Sequence, residues 1–287
     1  MAIAGIRRWG YGPVQMNPRQ PLSPYYRARE VPVISLRTAS EIERMRAAGR
    51  VVALALEAVT AAAAVGVTPR DLDELAADVI RRHGAVSSFH GYLPSWAATP
   101  FPAVTCMSVN DVIVHGIPDG RPLAAGDVLS IDCGASLNGY HGDAAVTVEI
   151  PQSTASSHAL VAATERALIA GIAAAVPGGR LGDVGAAIGA IGRECGYGIL
   201  ADHGGHGIGT AMHEDPPVSN TGRRGRGLQL REGMVIALEP MFHAGGRDGY
   251  RKLADGWSIA TDDGSLAAHW EHTVAITAAG PRVLTTL

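Results

Sequence analysis

Cysteine is scarce. Only Cys106, Cys133 and Cys195 occur in 287 residues, an odd number without close spacing. That excludes a disulfide framework and suits a reducing cytosol. A strong charge of either sign is also missing: 24 Lys and Arg stand against 27 Asp and Glu, for a net charge of -3 at pH 7. The balance speaks against a dedicated nucleic-acid binder, which carries a basic excess. Long apolar runs are lacking too. The most apolar stretch, residues 51–67, contains Glu57 and is shorter than the roughly 20 residues of a membrane span. Arg7 and Arg8 look like a twin-arginine start, but Trp9-Gly10-Tyr11-Gly12-Pro13 follows instead of an apolar run, so no signal peptide is expected. These absences predict a soluble cytoplasmic protein with no membrane partner.

Hydrophobic residues make up 47% of the chain and charged residues 18%, enough for a sizeable core. At about 100–200 residues per domain, one large domain or two small ones fit. Residues 1–37 stand apart as a Pro-rich N-terminal extension: Pro13, Pro18, Pro21, Pro24 and Pro32 suit an extended arm. Its two PxxP runs, starting at Pro18 and Pro21, fit SH3-type ligands or an arm lying along its own domain.

Beyond the arm, a helix is predicted from Ser40, with Ser40 and Glu43 as a capping box, running through an Ala-rich stretch to Gly66. A second opens at Pro69 and ends at Gly84, with an acidic start and a basic finish. Strands are expected over 104–150. The order then recurs: a helix opened by Ser153 or Ser156 and ending near Pro177, a helix over about 181–194, and strands over 199–276. A shift of 112 residues pairs Gly66 with Gly178, Asp71 with Asp183 and Gly84 with Gly196. A duplicated helix–helix–sheet unit follows, hence an α+β domain with helices on one side of a mainly antiparallel sheet. A ligand site would lie between the halves.

The most informative local pattern is 128–150. Asn138-Gly139 is a strong hairpin signal. Leu129, Ile131 and Cys133 on one strand, and Ala144, Val146, Val148 and Ile150 on the other, form an apolar face. Asp132 and Asp143 then share the opposite face. A two-residue loop pairs positions summing to 277, so Asp132 faces Ala145 and lies diagonal to Asp143, within reach of shared cations. Ser130, Ala145 and Thr147 are too small and mild for an ordinary wet face. Three other residues can complete a site: His206 among glycines, Glu239 after the apolar run 234–238, and Glu271 in the strand 268–276. A carboxylate in such apolar surroundings costs several kcal/mol unless paired or metal-bound. Four carboxylates and one imidazole suit Mn, Fe or Co better than a thiolate-type zinc site, and a metal pair would make hydrolysis the natural chemistry.

Five blocks in order carry a resemblance: Asn110-Asp-Val-Ile-Val-His-Gly-Ile-Pro118; Ile131-Asp132 with Gly139-Tyr-His-Gly-Asp143; Gly205-His-Gly-Ile-Gly209; Leu238-Glu-Pro-Met241; and Trp270-Glu-His-Thr273. Over about residues 38–287 the chain resembles the type I methionine aminopeptidases, metallopeptidases of pita-bread fold: a pseudo-twofold antiparallel sheet with helices on its outer face. The resemblance makes 38–287 the catalytic domain and the arm an extension as in actinobacterial forms. It implies removal of the initiator methionine from nascent polypeptide N-termini when the second residue is small and uncharged. Asp132, Asp143, His206, Glu239 and Glu271 would hold two divalent ions (Co, Mn, Fe, Ni or Zn), with Asp143 and Glu271 bridging and Glu239 shuttling the water's proton. His115 would meet the scissile amide, and His213 the carbonyl and its oxyanion. Phe89, Tyr92, Cys106, Met212 and Trp257 would form the methionine pocket. Backbone carbonyls of Asn110 and Val112 would match a monovalent-cation site. The resemblance also implies an arm that covers the domain or reaches toward the ribosome, and a monomer is expected. By its own composition the Arg223–Arg226 loop fits a solvated turn better than an RNA contact through phosphates.

Two departures stand out. The stretch 93–103 is longer than the usual link between the pocket aromatic and the cysteine block, and the arm is unusual. Glu239 follows His206 by 33 positions, too few for the helical insert of type II. A proline dipeptidase of the same fold would need a larger N-terminal domain than the arm supplies. A non-catalytic binding relative would be expected to lose ligands, and all five are present.

Overall fold

The computed structural model describes residues 34–287; residues 1–33 of the Pro-rich extension, with its PxxP runs, lie outside the described residues. In chain order the first half comprises α1 (Ala39–Ala62), α2 (Pro69–Arg82), β1 (Val86–Ser87), β2 (Thr105–Val109), β3 (Val112–Val114), β4 (Val128–Leu137) and β5 (Tyr140–Glu149). The second half opens with α3 (Ala155–Ala174) and α4 (Leu181–Glu194). Short strands follow: β6 (Gly198–Ile199), β7 (Gly204–Gly207), β8 (Glu214–Ser219), β9 (Val235–Leu238), β10 (Met241–His243) and β11 (Tyr250–Lys252). The chain ends with β12 (Ile259–Thr261), β13 (Ala267–His269), β14 (Glu271–Thr277) and β15 (Gly280–Val283). The order of helix pair and strands therefore repeats, as expected.

Two helix starts differ from the sequence reading. Thr38, not Ser40, caps α1: its hydroxyl accepts the Glu41 N–H at 3.3 Å, and the Glu41 carboxylate accepts the Thr38 N–H at 2.8 Å. Both T-x-x-E and S-x-x-E are present in this stretch, but Arg46 and Arg282 engage Glu43 instead. Thr154 likewise caps α3, where Ser153 or Ser156 was expected. α1 also stops at Ala62, four residues short of Gly66. The other ends agree: Pro69 opens α2, and Gly84 and Gly196 follow α2 and α4 with positive φ.

The main sheet runs β1-β4-β5-β14-β9-β7-β8, with β2 on β4 and β15 on β14, and its pairings are antiparallel. The β4–β5 hairpin has the predicted register, with Asp132 opposite Ala145 and Gly134 opposite Asp143. Asn138 and Gly139 both take positive φ, 53° and 80°, as a type I′ turn requires. Leu129, Ile131, Cys133 and Ala135 pack with Val52, Leu56, Val59, Leu72 and Ile80 from α1 and α2. Ile236, Leu238, Val274 and Ile276 pack with Leu160, Leu168, Val184 and Ile188 from α3 and α4. Both helix pairs thus cover the apolar side, and strand alternation leaves the other side for polar groups. α1 rides close on β5 at two glycines: a Cβ at Gly142 would lie 2.7 Å from the Gly49 Cα. Ile34 packs on the core and the Arg37 N–H donates to the Gly233 carbonyl at 2.7 Å. No helix among the described residues is long and apolar enough to cross a membrane.

Candidate metal centre and active site

Five neighbouring strands, β4, β5, β14, β9 and β7, each carry or immediately precede one expected ligand. Asp132 on β4 pairs with Ala145 on β5, and Ala145 pairs in turn with Glu271 on β14. Asp143 sits two residues before Ala145 and so shares its face. Glu239 directly follows Leu238, the partner of His272, which sets it beside Glu271. His206 precedes Gly207, the partner of Ile236. A fully buried alanine at 145 leaves room for the carboxylates on either side.

Hydroxyls lock the row. The Thr273 hydroxyl donates to the Asp143 carbonyl at 2.8 Å and accepts the Asp143 N–H at 3.0 Å, clamping β5 to β14. The Asn220 amide holds the Glu239 carbonyl at 2.9 Å, where the chain turns into Pro240. His206 Nδ1 lies 2.9 Å from the Gly207 carbonyl, which can only accept, so Nδ1 carries the proton and Nε2 presents its lone pair. That Nε2 lies 3.7 Å from Asp143 Oδ2 and 3.7 Å from Glu239 Oε1, spacings suited to donors around one ion.

Burial pushes the carboxylates toward protonation. Asp143 and Glu239 rise to about 8, and Asp132 and Glu271 are raised by burial and then by the charge of Asp143. Asp132 Oδ1, Asp143 Oδ1 and Glu271 Oε1 are buried without a hydrogen-bond partner among the described residues. Orphaned buried oxygens of this kind are costly, and divalent cations bound among them would satisfy them. The residues present fit such ions.

His269 belongs to this cluster and was not singled out from the sequence. Its Nε2 is buried without a hydrogen-bond partner, 3.9 Å from Glu239 Oε2 and 3.8 Å from Glu271 Oε2. Asp143, His206 and Glu271 form one three-donor group, and Glu239, His269 and Glu271 a second. The Thr147 hydroxyl places His269 by donating to its carbonyl at 2.7 Å and accepting its N–H at 2.9 Å. Asp132 lies outside both groups but touches Asp143 through its carboxylate. The sequence signal was available: two residues before Glu271, a histidine in extended chain points the same way.

The two other expected histidines flank this centre. His213 lies over His206, ring centroids 4.2 Å apart, and stacks on Tyr92 at 5.2 Å. Its loop is pinned by Glu214, which accepts from Arg37 at 2.5 Å and from the Thr210 N–H at 2.8 Å. His115 adopts positive φ, 59°, and its Nδ1 is buried without a partner. Burial lowers His115 to about 4, leaving it neutral at pH 7. His213, although open to solvent on one side, is also pushed down, first by the desolvating protein around it and then by His206.

Phe89, Cys106, Met212 and Trp257 fall in one buried cluster, with Tyr92 packed against it. Burial pushes the Cys106 thiol up, so it stays protonated, as a pocket wall rather than a nucleophile requires. Asn110, away from this cluster, takes φ 56° and its carbonyl accepts the Ala267 N–H at 2.8 Å; Val112 begins β3. The loop 223–226 folds back on α4, where Asp183 accepts the Gly225 N–H at 2.7 Å, while its arginines stay exposed.

Residues 43–278 match metallopeptidase family M24. Methionine aminopeptidase 1 of Mycobacterium tuberculosis is 49% identical over 271 residues, covering 92% of this chain and 99% of that relative. Methionine aminopeptidase 1 of Bacillus subtilis is 40% identical over 253 residues, covering 88% and 99%. The crystal structure of a methionine aminopeptidase from Thermotoga maritima aligns with a TM-score of 0.85 at 38% identity, over 89% of this chain and 100% of that one. A prolidase from Pyrococcus furiosus, 23% identical with a TM-score of 0.69, shares the pita-bread fold over 88% of this chain and 65% of its own. With this architecture and this similarity along most of its length, the chain belongs to the methionine aminopeptidases of metallopeptidase family M24.

Proposed function

We propose that this protein removes the initiator methionine from nascent polypeptides and peptides whose second residue is small and uncharged, acting as a cytoplasmic monomer. The observation that carries the reading is the row of five side chains on adjacent strands, with buried oxygens left for a cation. Asp132, Asp143, His206, Glu239 and Glu271 would hold two divalent ions, with Asp143 and Glu271 shared between them. Such ions supply an acidified water and a polarised carbonyl. The identity of the ion is open among Co, Mn, Fe, Ni and Zn, and the Asn110 and Val112 carbonyls are the candidates for a monovalent cation.

The chain's own groups do the rest. Glu239, ionised when cations share the site, takes a proton from the attacking water as oxygen adds to the carbonyl carbon. It passes that proton to the amine as the carbon–nitrogen bond breaks. His213, neutral, donates a hydrogen bond to the developing oxyanion. His115, also neutral, meets the scissile amide and steadies the leaving nitrogen. The cluster of Phe89, Tyr92, Cys106, Met212 and Trp257 takes the methionine side chain, because aromatic edges and soft sulfur suit a thioether. Exposed Arg223, Arg224 and Arg226 are suited to phosphate contacts when the work is done beside the ribosome.

Protein reconstituted with Co or Mn should release free methionine from Met-Ala-Ser, and chelation should abolish the reaction. Intact peptide after incubation with the metal-loaded protein would overturn the assignment.

A further inference from the structure

The stretch 93–103 is unused by the mechanism above. It leaves the pocket at Tyr92 and returns at Phe101, closed by two backbone bonds: Gly91 N–H to the Phe101 carbonyl and Phe101 N–H to the Tyr92 carbonyl, both 2.9 Å. A turn closed by the Ala97 N–H on the Pro94 carbonyl, at 3.0 Å, carries Trp96. Its half-buried indole stacks over His115, centroids 6.0 Å apart and planes 22° from parallel. The same ring meets Trp257 edge-on at 5.0 Å. Two more contacts tie this stretch to the pocket: the Thr99 carbonyl accepts Trp257 Nε1–H at 3.1 Å, and the Phe101 ring meets Trp257 at 5.0 Å. The Lys252 ammonium lies 5.7 Å from the Trp96 ring centre.

An aromatic ring held at several points does not yield easily, because side chains in packed surroundings resist volume changes of even one methylene. Under the aminopeptidase reading, on which this inference rests, the space beside His115 receives the scissile amide and the second residue. We propose that Trp96 is a specificity-determining residue whose indole closes the cleft over His115 and excludes large second side chains. Lys252 beside it turns away cationic ones. The methionine side chain enters among Phe89, Tyr92, Cys106, Met212 and Trp257, a cluster that Trp96 packs against at Trp257 without being one of the residues assigned to hold the thioether.

The test compares Met-Ala-Ser with Met-Leu-Ser for metal-loaded wild type, Trp96→Ala and Trp96→Phe. In Trp96→Ala the kcat/KM for Met-Leu-Ser relative to Met-Ala-Ser should rise about tenfold or more, the scale of apolar discrimination by side-chain size. Trp96→Phe should fall between, and it decides the matter should the alanine variant fail to fold. Leu93→Ala, at a 55% exposed position in the same excursion, should keep the wild-type ratio. The preference for methionine over norleucine at the first position should not move. Equal losses on both peptides would make Trp96 a structural prop and overturn the proposal. A shift confined to methionine against norleucine would do the same by assigning the ring to the methionine pocket. A wild type inert toward Met-Ala-Ser would sink both readings, whereas an active wild type with an unmoved ratio would sink this one alone.

Discussion

His213 and His206 lie with ring centres 4.2 Å apart, yet the site divides their work through the hydrogen bonds each can make. His206 spends its Nδ1 proton on the Gly207 carbonyl, which leaves a lone pair for a cation. His213 is kept neutral by its surroundings and so has one N–H to give an oxyanion. His213→Ala should therefore cut kcat by about 10²–10³, the usual loss of one oxyanion donor, while metal content measured by elemental analysis stays near wild type. Turnover within a few-fold of wild type would remove the role. At this scale the sequence was legible where a carboxylate followed an apolar pattern: Asp132, Asp143, Glu239 and Glu271 each stood out as too costly to bury alone. His269 escaped because a histidine among apolar neighbours carries no comparable penalty when neutral. Only its separation of two residues from Glu271 marked it.

Elements were legible where a repeat was long enough to declare itself. Ten residues in each of β4 and β5, joined by Asn138-Gly139, fixed face and register together, so the Asp132–Ala145 pairing followed from counting. The three-residue strands β10, β11, β12 and β13 offer no such period, and their two small sheets depend on contacts distant in sequence. The start of α1 was misplaced for a different reason: overlapping boxes compete, and the winner is set by partners the local pattern does not contain, such as Arg282 for Glu43. Thr38→Ala should then cost about 1 kcal/mol in denaturant unfolding, whereas Ser40→Ala should stay within about 0.5 kcal/mol of wild type. Reversal of that order would return the cap to Ser40.

Across the whole molecule, the metal centre ties stability to pH. In the metal-free protein Asp143 and Glu239 hold protons up to about 8, while in the unfolded chain such groups release them near 4. A folded-state pKa raised in this way gives stability at low pH that disappears as pH climbs toward 8. The histidines His115, His141, His203, His213, His243, His269 and His272, all lowered by burial, act in the opposite sense, but their effect fades within about one pH unit above 6.5 as unfolded histidine loses its proton. Between about pH 7.5 and 8 the raised carboxylates Asp132, Asp143, Glu239 and Glu271 dominate the slope, at up to about 1.4 kcal/mol per pH unit for each group. The Tm of chelator-treated protein should therefore fall by several degrees across that window. With Mn bound, the same carboxylates are ionised throughout and the Tm should be nearly flat. A metal-free Tm that holds steady or climbs would show that Asp143 and Glu239 are not protonated together in the empty site. Metal loading would then have no protons to displace there, and burial would not be what holds these carboxylates protonated in the five-strand row.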